Sequence, residues 1–166
     1  MIYLPIFMYL AKYHSSFAYQ ISLLFHQAVQ NIDRTIYSQP QLDAWSFAPR
    51  SAQYWHNRLK HMYCLVMLHE ARCIGFIAMD THFKQQGYIA HLYIAPEFLG
   101  QGVATQLYES VQQYAQSQHY AQLMVDASSL SAPLFGRHGF IRQSRCYQLQ
   151  RGQMLSALVM RKSLLV

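Results

Sequence analysis

The sequence predicts an α/β fold built around a mixed sheet, on three observations. Apolar residues follow a helical period before Met62 and a strand-like period after it. Residues 87–117 then read as a strand, a glycine turn and an amphipathic helix in direct succession. Two alternating apolar stretches near the C-terminus complete the sheet as an antiparallel pair.

Taken in order, a strand near Ile6 to Lys12 precedes a helix whose face is Phe17, Ile21, Leu24, Phe25, Ala28 and Ile32, with Ser15 or Ser16 as N-cap. The stretch from Gln39 to Lys60 holds Pro40, Pro49, Trp45 and Trp55 and predicts short helices, the second capped by Ser51. Met62–Leu68 and Cys73–Met79 flank the polar turn His69-Glu70-Ala71-Arg72 and predict a hairpin. Gly87–Ile94 is the next strand. Val103, Leu107, Val111 and Tyr114 then line one helical face. Leu123–Val125 is a short strand and Ser131–His138 a short helix, with Phe140–Leu149 and Leu155–Met160 as the closing pair. No repeat or Gly/Ser-rich linker divides residues 1–166, so one domain with one core is expected.

With 52% apolar and 12% charged residues, a disordered chain is excluded, and no apolar run is long enough to span a bilayer. The apolar start Met1–Leu10 lacks a preceding Lys or Arg and an A-x-A-like cleavage site, and Pro5 interrupts it, so a strand is preferred to a secretion signal. Cys64, Cys73 and Cys146 are odd in number and set in apolar surroundings, which predicts reduced thiols and a cytoplasmic setting. The net charge of +6 arises entirely after residue 126, from Arg137, Arg142, Arg145, Arg151, Arg161 and Lys162. That set fits either attraction of an anionic ligand or a solvated arginine face. Nucleic-acid binding is not expected, because no recognised motif accompanies it.

Gly100-Gln101-Gly102 between a strand and a helix lets backbone N–H groups approach a phosphate at the helix's positive end. A dinucleotide fingerprint would need glycine at Thr105 and an acid near Tyr120, and a P-loop would need Gly-Lys-Ser/Thr; neither is present. The nine histidines form no H-E-x-x-H pattern and the cysteines no C-x-x-C, so no metal is expected.

The stretch from Leu92 to Thr105, with Leu99-Gly100-Gln101-Gly102-Val103-Ala104 after a strand ending Ile94-Ala95-Pro96, resembles the coenzyme A signature of the GNAT acetyltransferase superfamily. A second stretch, Ser128 to Phe140, resembles the family's N-x-x-A-x-x-F-Y-x-K-x-G-F segment. Four residues depart from the usual pattern: Leu99 stands for Arg or Gln, Ser128 for Asn, Ser131 for Ala, and Phe135 for a Tyr that often protonates the departing thiolate.

The resemblance implies a sheet of six to seven strands with a V-shaped splay between the fourth and fifth. It implies acetyl-CoA held by Leu92, Tyr93, Ile94, Leu99, Gly100, Gln101, Gly102, Val103, Ala104, Thr105, Ser128, Phe135 and Arg137, and transfer to a small primary amine in a ternary complex. Acetylation of a protein N-terminus or lysine, and a non-catalytic acyl-CoA-binding module, stay open as alternatives, as does a homodimer. Transfer needs a base for the amine, a donor for the oxyanion and an acid for the thiolate. The positions where relatives often carry the base are Ala90 and Tyr88. Tyr88, Asp126 and Ser128 are therefore the catalytic candidates. Strand alternation turns the nearby His91 away from Ala90 and Leu92, which favours a packed or solvated side chain.

Overall fold

The computed structural model describes residues 7–82 and 84–165. Seven strands form one sheet in the order β1-β2-β3-β4-β5-β7-β6: β1 (Met8–Lys12), β2 (Tyr63–His69), β3 (Arg72–Met79), β4 (Tyr88–Ile94), β5 (Gln122–Ala127), β6 (Ile141–Gln150) and β7 (Gln153–Ser163). Every pairing is antiparallel except β4 with β5. Five helices accompany it: α1 (Ala18–Gln30), α2 (Gln39–Trp45), α3 (Ala52–Leu59), α4 (Val103–Ser117) and α5 (Ala132–Arg137). The start of the expected first strand, before Phe7, lies outside the described residues.

Alternation along β3 sorts the helices to the two faces. Phe76 meets Trp55 of α3 edge to face, with centroids 5.7 Å apart. Gly75 faces the other way, where a Cβ would stand only 3.1 Å from Val103 and 3.2 Å from Leu107 of α4. The missing side chain lets α4 press onto the strand, and Val103, Leu107 and Val111 are fully buried there. Trp55, Phe76, Leu107 and Val111 belong to one continuous core, and Val29, Tyr37, Leu42 and Leu155 form a smaller one under α2.

Local chemistry sets the element ends. Ser51 Oγ accepts the Tyr54 N–H at 3.1 Å and caps α3 as expected. The cap expected from Ser15 or Ser16 is different: those residues form a short 3-10 turn ahead of α1, and His14 Nδ1 accepts the Ser16 N–H at 3.2 Å. A histidine with an extended backbone supplies the acceptor that a serine was expected to give. The β2–β3 connection turns on Glu70 (φ 48°) and Ala71 (φ 65°), both left-handed, as a two-residue hairpin requires.

The feature that positions the site is the parallel pair. Its ladder is confined to Tyr88↔Met124 and Ile89↔Val125, although β4 continues to Ile94 and β5 to Ala127. Beyond Ile89 the strands separate, and the β4 backbone edge turned toward β5 loses its ladder. This is the expected splay between the fourth and fifth strands. No described helix is long and apolar enough to cross a membrane.

Candidate acetyl-transfer site

Two cavities meet at the splay. One, of about 620 Å³, runs along β4 toward the glycine turn; the other, of about 420 Å³, opens between the α1–α3 side and the β6–β7 hairpin. Trp45, Ala90, His91, Tyr93, Asp126 and Ser128 line both, so a molecule in one can reach a molecule in the other.

Of the residues expected to hold a coenzyme, Leu92, Tyr93, Ile94, Leu99, Gly100, Ala104, Ser128, Phe135 and Arg137 line the larger cavity. The other four do not. Gly102 ends the turn at φ 79° as the N-cap of α4, with nothing within 4 Å of where a Cβ would stand. Gln101 donates from Nε2 to the Glu97 carbonyl at 2.9 Å. Val103 is buried beneath the turn, and Thr105 lies half-buried in the first turn of α4. The turn thus offers an open backbone surface at the positive end of a 15-residue helix, suited to an anion. Leu99 is 64% exposed and brings no donor.

The three catalytic candidates fall at the splay. Tyr88 donates its hydroxyl to Asp126 Oδ2 at 3.2 Å, a contact made by the parallel register of β4 and β5. Burial, and next the carboxylate beside it, push the Tyr88 hydroxyl well above the ordinary phenol range, so it stays a donor at neutral pH. Ser128 Oγ accepts the Ser131 N–H at 3.2 Å and lies 3.2 Å from Ser131 Oγ, which places it at the head of α5. Either hydroxyl of this serine pair can be the donor. Phe135 is buried, its ring packed against Phe140 and Tyr108 at centroid distances of 5.0 and 5.9 Å.

His91 is packed, as strand alternation predicts. Its ring sits among Trp55, Phe76 and Tyr93, and its Nε2 accepts from Arg58 Nε at 2.8 Å. Burial, and then the adjacent guanidinium, pull its pKa down to about 3. It is neutral at physiological pH, and its one unprotonated nitrogen is engaged by Arg58. Tyr93, named from the motif for coenzyme contact, turns its ring onto Phe25 and accepts from Trp45 Nε1 at 3.1 Å, in the wall shared by the cavities. Arg50 and Arg58 of the smaller cavity carry no sequence signal; they lie outside both motifs and reach the site only through the packing of α3.

The model of the family "Acetyltransferase (GNAT) domain" matches residues 34–164. The chain belongs to the GNAT acetyltransferase family. An uncharacterized N-acetyltransferase of Escherichia coli K12, YafP, is 30% identical over 128 residues, covering 76% of this chain and 77% of that protein. The GNAT fold is equally plain among solved structures. A GCN5-related N-acetyltransferase from Rhodopseudomonas palustris superposes with a TM-score of 0.87 at 24% identity, over 98% of this chain and 99% of that one. The PaiA N-acetyltransferase from Thermoplasma acidophilum, solved with coenzyme A, gives 0.76 at 15% identity, over 95% and 99%.

Proposed function

We propose that this GNAT protein, read as one domain over residues 1–166, transfers an acetyl group from acetyl-CoA to a primary amine of a small acceptor by direct attack in a ternary complex. The observation that carries the reading is the pair of cavities meeting at the splay, with Asp126 and Ser128 in their common wall. The glycine turn is the pyrophosphate cradle, and the β4 edge freed beyond Ile89 supplies N–H donors to pantetheine and to the developing oxyanion. That PaiA, a protein of the same fold, was solved with coenzyme A supports acetyl-CoA as the co-substrate.

In this scheme Asp126, oriented by the Tyr88 hydroxyl, takes the proton from the incoming ammonium, directly or through a water. The neutral amine attacks the thioester carbonyl and the C–N bond forms; as the tetrahedral adduct collapses the C–S bond breaks, and the nitrogen gives up its second proton, which passes to the departing thiolate. Ser128, in the wall shared by the two cavities, is the hydroxyl that would relay that proton to the thiolate, since Phe135 has no proton to give. A thiol with a pKa near that of cysteine, about 8.5, leaves tolerably with modest help.

The modest size of the smaller cavity, about 420 Å³ with Trp45, Trp55 and Tyr93 in its wall, favours a small acceptor over a protein terminus or lysine. Two further readings go with it. Buried free Cys64 and Cys73, their thiols pushed up by burial, suit the reducing cytoplasm. The free edge of β6, with Ile141, Tyr147 and Leu149 exposed, suits pairing into a homodimer; a monomeric mass in sedimentation at micromolar concentration removes that part. Release of coenzyme A thiol over an amine panel tests the transfer itself. Turnover with at least one small amine is expected; silence across the panel, with normal coenzyme binding, would favour the non-catalytic module.

A further inference from the structure

The charge inside the smaller cavity is lopsided. Arg50, Arg58 and Arg151 line it, and Asp126 is the single carboxylate among the lining residues. None of these guanidiniums forms an ion pair among the described residues, where the ion pairs are Arg72–Glu97 and His82–Asp80. Neutral groups hold each one instead. Arg58 donates Nε to the unprotonated Nε2 of His91 at 2.8 Å, and its terminal nitrogens make no hydrogen bond among the described residues, although its charge also reaches Asp80. Arg50 lies over the Tyr54 ring at 5.1 Å, and its backbone is pinned by the buried Ser22 hydroxyl, which donates to its carbonyl. Arg151 lies over Phe47 at 5.6 Å, at the left-handed tip of the β6–β7 hairpin.

Guanidiniums supported by rings and an imidazole keep their charge for a ligand, and their planar fork suits a carboxylate or phosphoryl group. The walls between them and Asp126 are aromatic, Trp45, Trp55 and Tyr93 among them. Resting on the acetyl-transfer reading above, we infer that the acceptor is an amine that also carries an anionic group, with an apolar or aromatic body between the two. The amine lies at Asp126 and the anion at the arginines. Diamines and polyamines, which would bring a second positive charge toward three guanidiniums, are disfavoured.

Both tryptophans of the chain line this cavity, so their fluorescence reports its occupancy without any turnover. The native protein, saturated with coenzyme A, is titrated with 3-phenylpropionate, with 3-phenylpropanol and with phenethylamine. The acid is expected to bind at least about tenfold tighter than either of the others, the range of one charge-assisted hydrogen-bonded contact. Arg58→Gln and Arg151→Gln should each weaken the acid by about threefold or more, with unchanged circular dichroism; Arg151, on an exposed turn, guards against a folding defect at Arg58. Among substrates, 4-(2-aminoethyl)benzoate, which is phenethylamine with a carboxylate across the ring, should exceed phenethylamine, and spermidine should be poorest, in kcat/KM. Equal binding of acid and alcohol, full binding by both arginine variants, or binding of the acid to the coenzyme-free protein alone would each overturn the assignment. The last would mean that the arginines serve the coenzyme. Failure of acetyl transfer itself shows in thiol release and leaves this titration free to succeed.

Discussion

Asp126 and Tyr88 stand 38 residues apart, yet the parallel register Tyr88↔Met124 brings them within hydrogen-bonding distance. Each was legible singly in the sequence, Tyr88 from its place before Ile94 and Asp126 from its place after the short strand, but their pairing depends on a strand register that no local pattern encodes. If Asp126 is the base, Asp126→Asn should lower kcat by about 10² or more, and Tyr88→Phe by less, because a carboxylate without its orienting donor still accepts a proton. Thiol release by the three proteins over a pH series reads this directly; equal rates would remove Asp126 from the chemistry. His91 offers a separate test through stability. Its pKa is depressed from 6.5 to about 3 in the folded state, so the unfolded chain binds the extra proton on acidification. The stabilisation is present in full above pH 6.5 and is lost as pH falls toward 3, at up to about 1.4 kcal/mol per pH unit. Urea midpoints measured at pH 7 and pH 5 should fall further for the native protein than for His91→Asn.

Among the elements, those with a long period were readable, and those fixed by a single hydrogen bond were not. The α4 face Val103, Leu107 and Val111 is buried as its spacing predicts, and β6 and β7 pair as the closing strands. The His14 cap was missed because serine is the usual acceptor and a histidine nitrogen does the same work only when its backbone is extended. The β2–β3 turn hides itself differently: Glu70 and Ala71 adopt left-handed geometry without the Asn or Gly that normally announces it. A left-handed alanine costs about 1–2 kcal/mol, part of which a glycine returns as unfolded-chain entropy. Ala71→Gly should therefore stabilise the protein by about 0.5–1 kcal/mol, visible as a higher urea midpoint with unchanged slope. A lower midpoint would show that the turn is not strained.

Across the whole molecule, the residues proposed for the coenzyme were more legible in the sequence than those proposed for the acceptor. The glycine turn and the Ser128–Phe140 segment are contiguous stretches whose spacing survives four substitutions. The smaller cavity, proposed for the acceptor, is instead assembled from α2, α3, β4, β5 and the β6–β7 hairpin, so Arg50, Arg58 and Arg151 converge only after folding. In the proposed function the glycine turn and the splay together bind acetyl-CoA. Thermal unfolding tests it most directly, because a ligand held only by the folded state at 100 times its Kd adds about 2.7 kcal/mol. For a chain of this size that is a rise in Tm of roughly 5–10 °C. Gly102→Val places a branched side chain in the open space at φ 79°; it should lower the unliganded Tm, yet leave a folded protein. Expected is a rise with acetyl-CoA, none with NAD or ATP, and none for Gly102→Val with any of the three. No rise for the native protein at millimolar acetyl-CoA, or an equal rise for Gly102→Val, would contradict the claim.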